Sequence, residues 1–254
     1  MEEIKIVVAT HKKYEMPFSD MYLPVHVGAV YGGELGYQKD NEGQNISEKN
    51  PNYCELTGHY WAWKNVNAHY VGLVHYRRHF RNSSRRFKNK FDNIISEEKV
   101  KKLLTKTDVI LPKKRHYYIE TNKGQYIHAH HKEGFIITEE IIKTYYPDYM
   151  QAFQKMLHMR SGHRFNMFIM RYDIFNSYSE WLFDVLFKVE EQLDIKNWDT
   201  QEQRVFGYLS ERLLDVWLIK NKIKYKDVSY IFMEKQNWSK KIFNFLKRKL
   251  KNKR

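Results

Sequence analysis

Short apolar runs alternate with longer amphipathic stretches along this chain, and that alternation constrains the fold more than any other feature. The runs fall at 4–8 ("IKIVV"), 70–74 ("YVGLV"), 107–112 ("TDVILP") and 165–175 ("FNMFIMRYDIF"). Runs of β-branched and apolar residues bounded by polar ones read as buried strands. Helical spacing of apolar residues marks 53–66, a segment starting near Ser96, 137–157 (broken before Pro147), 179–193 and 200–220. At Ser96, "SEEK" supplies an N-cap and first-turn acids; Ser47 and Asn50 are N-cap candidates for 53–66. Strands alternating with helices predict an α/β fold around one central sheet rather than a bundle or a sandwich. No repeat or linker divides residues 1–234, so one domain followed by a tail is expected.

Charge is unevenly spread. The chain of 254 residues has a formal net charge of +14. Residues 235–254 contain nine Lys and Arg and no acid, so the body is only mildly basic. A nucleic-acid-binding domain would carry its basic face on the folded body, and this distribution argues against one. In the tail, Ile242, Phe245, Leu246 and Leu250 recur at helical spacing among the basic residues, the pattern of an amphipathic helix for an anionic membrane surface. A start with two acids and a short apolar run is unlike a signal peptide, and no window reaches the ~20 apolar residues of a membrane span. A single Cys, Cys54, excludes a disulfide framework. The expected setting is cytoplasmic, peripheral at the inner face of the cell membrane.

The chemistry concentrates at strand ends. Ligands of open α/β sheets bind beyond the carboxyl ends of the strands, and the first strand ends in Thr10, His11 and Lys12. The strand at 70–74 ends in His75, Tyr76, Arg77, Arg78 and His79. Guanidinium forks suit phosphate oxygens, and strand alternation would set His75 and Arg77 on one face. The long polar loop before the 53–66 helix offers Asn45, Ser47 and Asn50 to a nucleotide's base, ribose or phosphates.

"HAHH" (128–131) would alternate His128 and His130 as on a strand. It admits a zinc reading, on which a metal-dependent phosphoesterase would rest, but no Cys or close carboxylate completes a ligand set. Acceptor contact by His128, or general-base work by His130 or His131, competes with that reading. Asn166, in an apolar strand, must be hydrogen-bonded and could hold a sugar hydroxyl. Glu211 interrupts the apolar stripe of the last helix and is a further candidate base. No Gly-x-Gly-x-x-Gly, P-loop, Gly-x-Ser-x-Gly or Asp-x-Asp occurs.

The segments "VVATHKKYEMP", "YLPVHVGA", "NISEKNPNYCELTGHYWAWKN", "GLVHYRRHF", "ILPKKRHYYIET", "FNMFIM" and "SERLLDVWL" closely resemble a bacterial capsule and exopolysaccharide glycosyltransferase family once catalogued as a domain of unknown function. The resemblance spans roughly residues 4–220 and implies a single GT-A-like, Rossmann-type domain with a central mostly parallel sheet. It further implies a UDP-sugar donor, galactofuranose in some members, and a lipid-diphosphate-linked glycan acceptor in capsule, exopolysaccharide or O-antigen synthesis. Where many GT-A enzymes hold a divalent metal on Asp-x-Asp, this chain has His75-Tyr76-Arg77. The expectation is a metal-independent, inverting transfer. Thr10, His11, Lys12, Asn45, Ser47, Asn50 and His75–Arg78 would hold the donor, and His130, His131 or Glu211 would act as base.

Overall fold

The computed structural model describes residues 3–85 and 87–234. The expected tail helix, 235–254, lies outside them. Among the described residues eleven strands form: β1 (Ile4–Thr10), β2 (Tyr22–His26), β3 (Gln38–Lys39), β4 (Tyr70–His75), β5 (Arg78–Phe80), β6 (Val109–Pro112), β7 (Arg115–His116), β8 (Ser161–Gly162), β9 (Phe168–Arg171), β10 (Tyr225–Val228) and β11 (Tyr230–Phe232). The helices are α1 (Asn50–Tyr53), α2 (Leu56–Asn65), α3 (Glu97–Leu104), α4 (Asn122–Ala129), α5 (Glu133–Tyr145), α6 (Met150–His158), α7 (Tyr172–Gln192) and α8 (Val205–Lys220).

The main sheet runs β10-β6-β9-β4-β1-β2-β3, with β5 and β11 attached beyond β4. Pairings β1–β2, β1–β4, β2–β3 and β6–β10 are parallel; β9 alone in the main row runs against its neighbours β4 and β6. This is the expected α/β architecture with a mostly parallel sheet.

The two faces of β1 explain why its sequence is apolar at successive positions. Ile4, Ile6 and Val8 enter one core; Val7 and Ala9 enter the other. A central strand covered on both faces has no polar side to show. The larger core lies under α2 and α5–α8, the smaller under α3 and the β5–β11 pair. Each fully buried Leu, Ile or Phe adds about 1.5–3 kcal/mol. Gly72 is required inside β4. A Cβ there would sit 2.9 Å from the Phe168 carbonyl oxygen and 3.1 Å from Ile169 and Ile6 side-chain atoms.

Several sequence expectations hold. Ser96 caps α3, its hydroxyl accepting from the Lys99 N–H, and the break before Pro147 separates α5 from α6. Others are corrected. The 53–66 helix is two helices interrupted at Cys54, whose φ of 54° no right-handed helix tolerates. Ser47 and Asn50 make no side-chain cap for it. In 165–175 only Phe168–Arg171 is strand: Phe165 (φ 79°) and Asn166 (φ 51°) form a left-handed turn before it, and α7 begins at Tyr172. "HAHH" is no strand either, because His128 lies in α4 and His130 caps its end.

Candidate active site

The carboxyl ends of β1 and β4 lie side by side, with Ala9 opposite His75. Above them opens a cleft of about 290 Å³, lined by Ala9, His11, Val27, the segment around Asn50–Glu55, His75-Tyr76-Arg77 and Arg204. β4 ends at His75, and Tyr76-Arg77 form the turn into β5, where Arg78 pairs back with His75. His75 and Arg77 therefore meet in the cleft through a turn, not through strand alternation.

Glu55 is the one carboxylate on the lining, and its side chain is 16% exposed. It stands where the α1–α2 break turns the chain. Cys54 at φ 54°, ψ −127° is in a sparsely populated region for a residue with a Cβ. One Glu55 oxygen accepts from the Asn166 amide at 2.8 Å and lies 3.9 Å from His75 Nε2. Asn166 is itself fixed: its Nδ2 also donates to the Gly207 carbonyl, and its Oδ1 accepts from the Ser210 hydroxyl.

Glu211 acts on this same turn. Its carboxylate accepts from the Phe165 N–H at 2.8 Å and pairs with Arg212 at 3.1 Å. Glu211 thus holds the turn that holds Asn166, which holds Glu55.

The cationic side of the cleft is Arg77 and Arg204. Arg204 closes a short 3-10 turn before α8, and its Nε donates to Cys54 Sγ at 2.9 Å. Burial, with the nearby Glu55 charge, pushes the Cys54 thiol up to about 11, so it remains neutral beside the guanidinium. His75 is not a third cation. Burial, with Arg78 and Arg77 nearby, pushes its pKa down to about 3. Its Nε2 meets the Phe165 carbonyl, which can only accept, so that nitrogen carries the proton and Nδ1 is an acceptor. His11, on the lining, is also held below the ordinary imidazole range, first by partial burial and then by Arg77, Lys12 and Arg204.

The remaining residues singled out in the sequence divide clearly. Asn50 and Tyr76 line the cleft. Lys12 stands at its rim, 5.0 Å from the Tyr76 ring centre and paired with Glu234 at 3.1 Å. Thr10 is buried and builds the turn, its hydroxyl donating to the Lys12 carbonyl. Arg78 packs 4.3 Å over the Phe165 ring, off the lining.

Asn45 and Ser47 fold their own loop. Asn45 bonds the Asn41 and Gly43 carbonyls; Ser47 donates to Asp40. Asp40, fully buried, also accepts from the Gly28 and Ala29 N–H groups and the Thr57 hydroxyl. His128 is half exposed and bonds Glu120 at 3.1 Å. His130 meets Glu202 at 3.1 Å and stacks on Tyr208, and His131 stacks on Trp198. None of these three lines the cleft.

Glu55 and Arg204 escaped the sequence reading. Glu55 lies inside the stretch read as one continuous helix, 53–66. Its one signal was a lone carboxylate in the otherwise uncharged stretch "PNYCELTGHYWAW".

As a metal site the cleft is poor. Its donor set is one carboxylate, a neutral thiol and two imidazoles, one already committed to a carbonyl. Among the described residues, no group of three or more His, Cys, Asp or Glu side chains is arranged to hold a metal ion.

The cleft lies at the carboxyl ends of β1 and β4, where open α/β sheets bind their ligands, and two guanidiniums and one carboxylate stand on its lining. The chain belongs to the family described as a domain of unknown function, DUF4422, whose model matches residues 5–222. Among solved structures it is similar to the apo form of WbbM, a bifunctional glycosyltransferase, at 33% identity and a TM-score of 0.86. The match covers 92% of this chain and 46% of that one, so the chain spans about half the length of that enzyme. No curated protein matches the sequence.

Proposed function

We propose that this chain is a glycosyltransferase that moves a sugar, galactofuranose being the first candidate, from a UDP donor to a lipid-diphosphate-linked glycan. The setting proposed is capsule, exopolysaccharide or O-antigen synthesis at the inner face of the cell membrane, with the basic tail on the anionic surface. The observation that carries this reading is the meeting of Glu55 with Arg77 and Arg204 in one cleft at the sheet's carboxyl end. The similarity to a bifunctional glycosyltransferase supports the same reading.

In the reaction, the acceptor hydroxyl oxygen attacks the anomeric carbon while the bond to the UDP oxygen breaks. Glu55 takes the hydroxyl proton, and UDP leaves with the bonding pair. Arg77 and Arg204 offset the charge that grows on the diphosphate, a fixed electrostatic device that needs no rearrangement during the step. Attack on the face opposite the leaving group inverts the anomeric centre. Glu55 replaces His130, His131 and Glu211 as the base because it stands on the cleft lining and they do not.

UDP release by the purified chain, given UDP-galactofuranose, UDP-galactose or UDP-glucose with and without EDTA, tests this reading. We expect turnover of one donor that resists EDTA and falls about 100-fold or more in Arg77→Ala. Turnover abolished by EDTA and restored by Mn²⁺ would overturn the cationic diphosphate site. An absence of turnover or UDP binding with every donor would overturn the reaction itself.

A further inference from the structure

The four most exposed large apolar side chains among the described residues are Phe18 (97%), Tyr118 (81%), Tyr31 (65%) and Ile119 (63%). Tyr31, Tyr118 and Ile119 stand in segments that leave the carboxyl ends of parallel strands, Tyr31 after β2 and Tyr118 and Ile119 after β6, whereas Phe18 lies by the turn that enters β2 at the amino end. These three share the cleft's end of the molecule. β2 and β6 are four strand spacings apart in the sheet, roughly 19 Å. Apolar tips so separated form no groove for a peptide or a small ligand, but a flat surface can meet them together.

The loop after β6 carries the strongest signal. Tyr118 sits at φ 58°, a strained turn for a residue with a Cβ. Its neighbours Lys113, Arg115, Lys123 and Arg160 are exposed cations, while the loop's one acid, Glu120, is already paired with His128. Aromatic and aliphatic tips ringed by Lys and Arg suit the interface of an anionic bilayer. The same charge opposes the other candidates. A second copy would bring like charge to like charge, and so would residues 235–254, with nine cations and no acid.

We propose that the sheet's carboxyl end, through the β6 loop with Tyr118 and Ile119 and through Tyr31, docks on an anionic lipid bilayer. Docking turns the cleft mouth toward the membrane, where a lipid-linked acceptor of the kind proposed above resides. The docking itself does not depend on that reaction.

The test uses the full chain and vesicles of phosphatidylcholine, with or without phosphatidylglycerol. Cosedimentation of the wild type with the anionic vesicles is compared with that of a Tyr118→Ser, Ile119→Ser double variant. Both positions are exposed, and circular dichroism verifies folding. We expect the double variant to bind about tenfold more weakly and Tyr31→Ser to weaken it further. An environment-sensitive dye on Ile119→Cys should shift to the blue on anionic vesicles only; Cys54, half-buried and neutral, competes poorly for the label. Unchanged binding with no dye shift would overturn the proposal in favour of residues 235–254 alone. Self-association of the wild type that the double variant loses would overturn it in favour of a contact between copies. Neither result bears on UDP release, so this proposal and the proposed reaction fail separately.

Discussion

Glu55 owes its place to side chains far away in sequence. Asn166, 111 positions later, donates to its carboxylate, and Ser210 and Gly207 hold Asn166. Removing the amide frees the carboxylate to turn while leaving Arg77 and Arg204 in place. In Asn166→Ala, kcat should fall about tenfold with the donor KM near that of the wild type, measured by steady-state UDP release. A rise in KM at constant kcat would mean that Asn166 serves binding instead. His75 teaches a complementary point. A histidine among arginines reads as a cation in sequence, yet burial under the Phe165 carbonyl keeps it neutral. That carbonyl belongs to a turn 90 residues away, so nothing near His75 in sequence announces it.

Among the elements, strands and long helices were legible because their apolar periodicity is their packing. β1, β4, β6, α7 and α8 follow directly from it. The misread segments share one cause: side chains overrode the local pattern. "YCELTGHYW" has helical spacing, but the left-handed Cys54 divides it, and the division presents Glu55 to the cleft. The loop at 40–50 read as a nucleotide clamp because Asn45, Ser47 and Asn50 carry amides and a hydroxyl that suit a nucleotide. Most of them close the loop on itself around Asp40, which binds four donors from Gly28, Ala29, Ser47 and Thr57. Asp40→Ala would leave buried donors without an acceptor, a loss on the order of 3–5 kcal/mol. Urea unfolding should show a correspondingly lower midpoint. A midpoint within experimental error of the wild type would contradict this role for Asp40.

Across the whole molecule, buried histidines set the response to acid. Burial pushes His59 and His75 down to about 3 and His79 to about 4, from an ordinary value of 6.5. The unfolded chain binds protons that the folded chain refuses. Their stabilisation is therefore complete above about pH 6.5 and is lost as pH falls toward the folded values. Between pH 6 and 4.5 the three together approach a slope of about 4 kcal/mol per pH unit. His163 acts in the opposite sense. Burial lowers its pKa, but Asp215 at 2.6 Å and Asp227 at 2.9 Å raise it further, so its contribution is full in acid and lost as pH rises through its folded value. One residue against three leaves acid destabilisation dominant. The urea midpoint should fall steeply from pH 6.5 to 5, and a level or rising midpoint would contradict this balance.

The central claim is that the proton acceptor is Glu55 and not one of the residues outside the cleft. Turnover of the preferred UDP-sugar by Glu55→Gln, beside Glu211→Gln and His130→Ala, addresses it most directly. The amide keeps the shape of the side chain and removes its basicity. The expected result is a kcat lowered about 100-fold or more in Glu55→Gln, with UDP binding retained and a much smaller loss in the other two. A Glu55→Gln enzyme as fast as the wild type, or a larger loss in His130→Ala, would contradict the assignment.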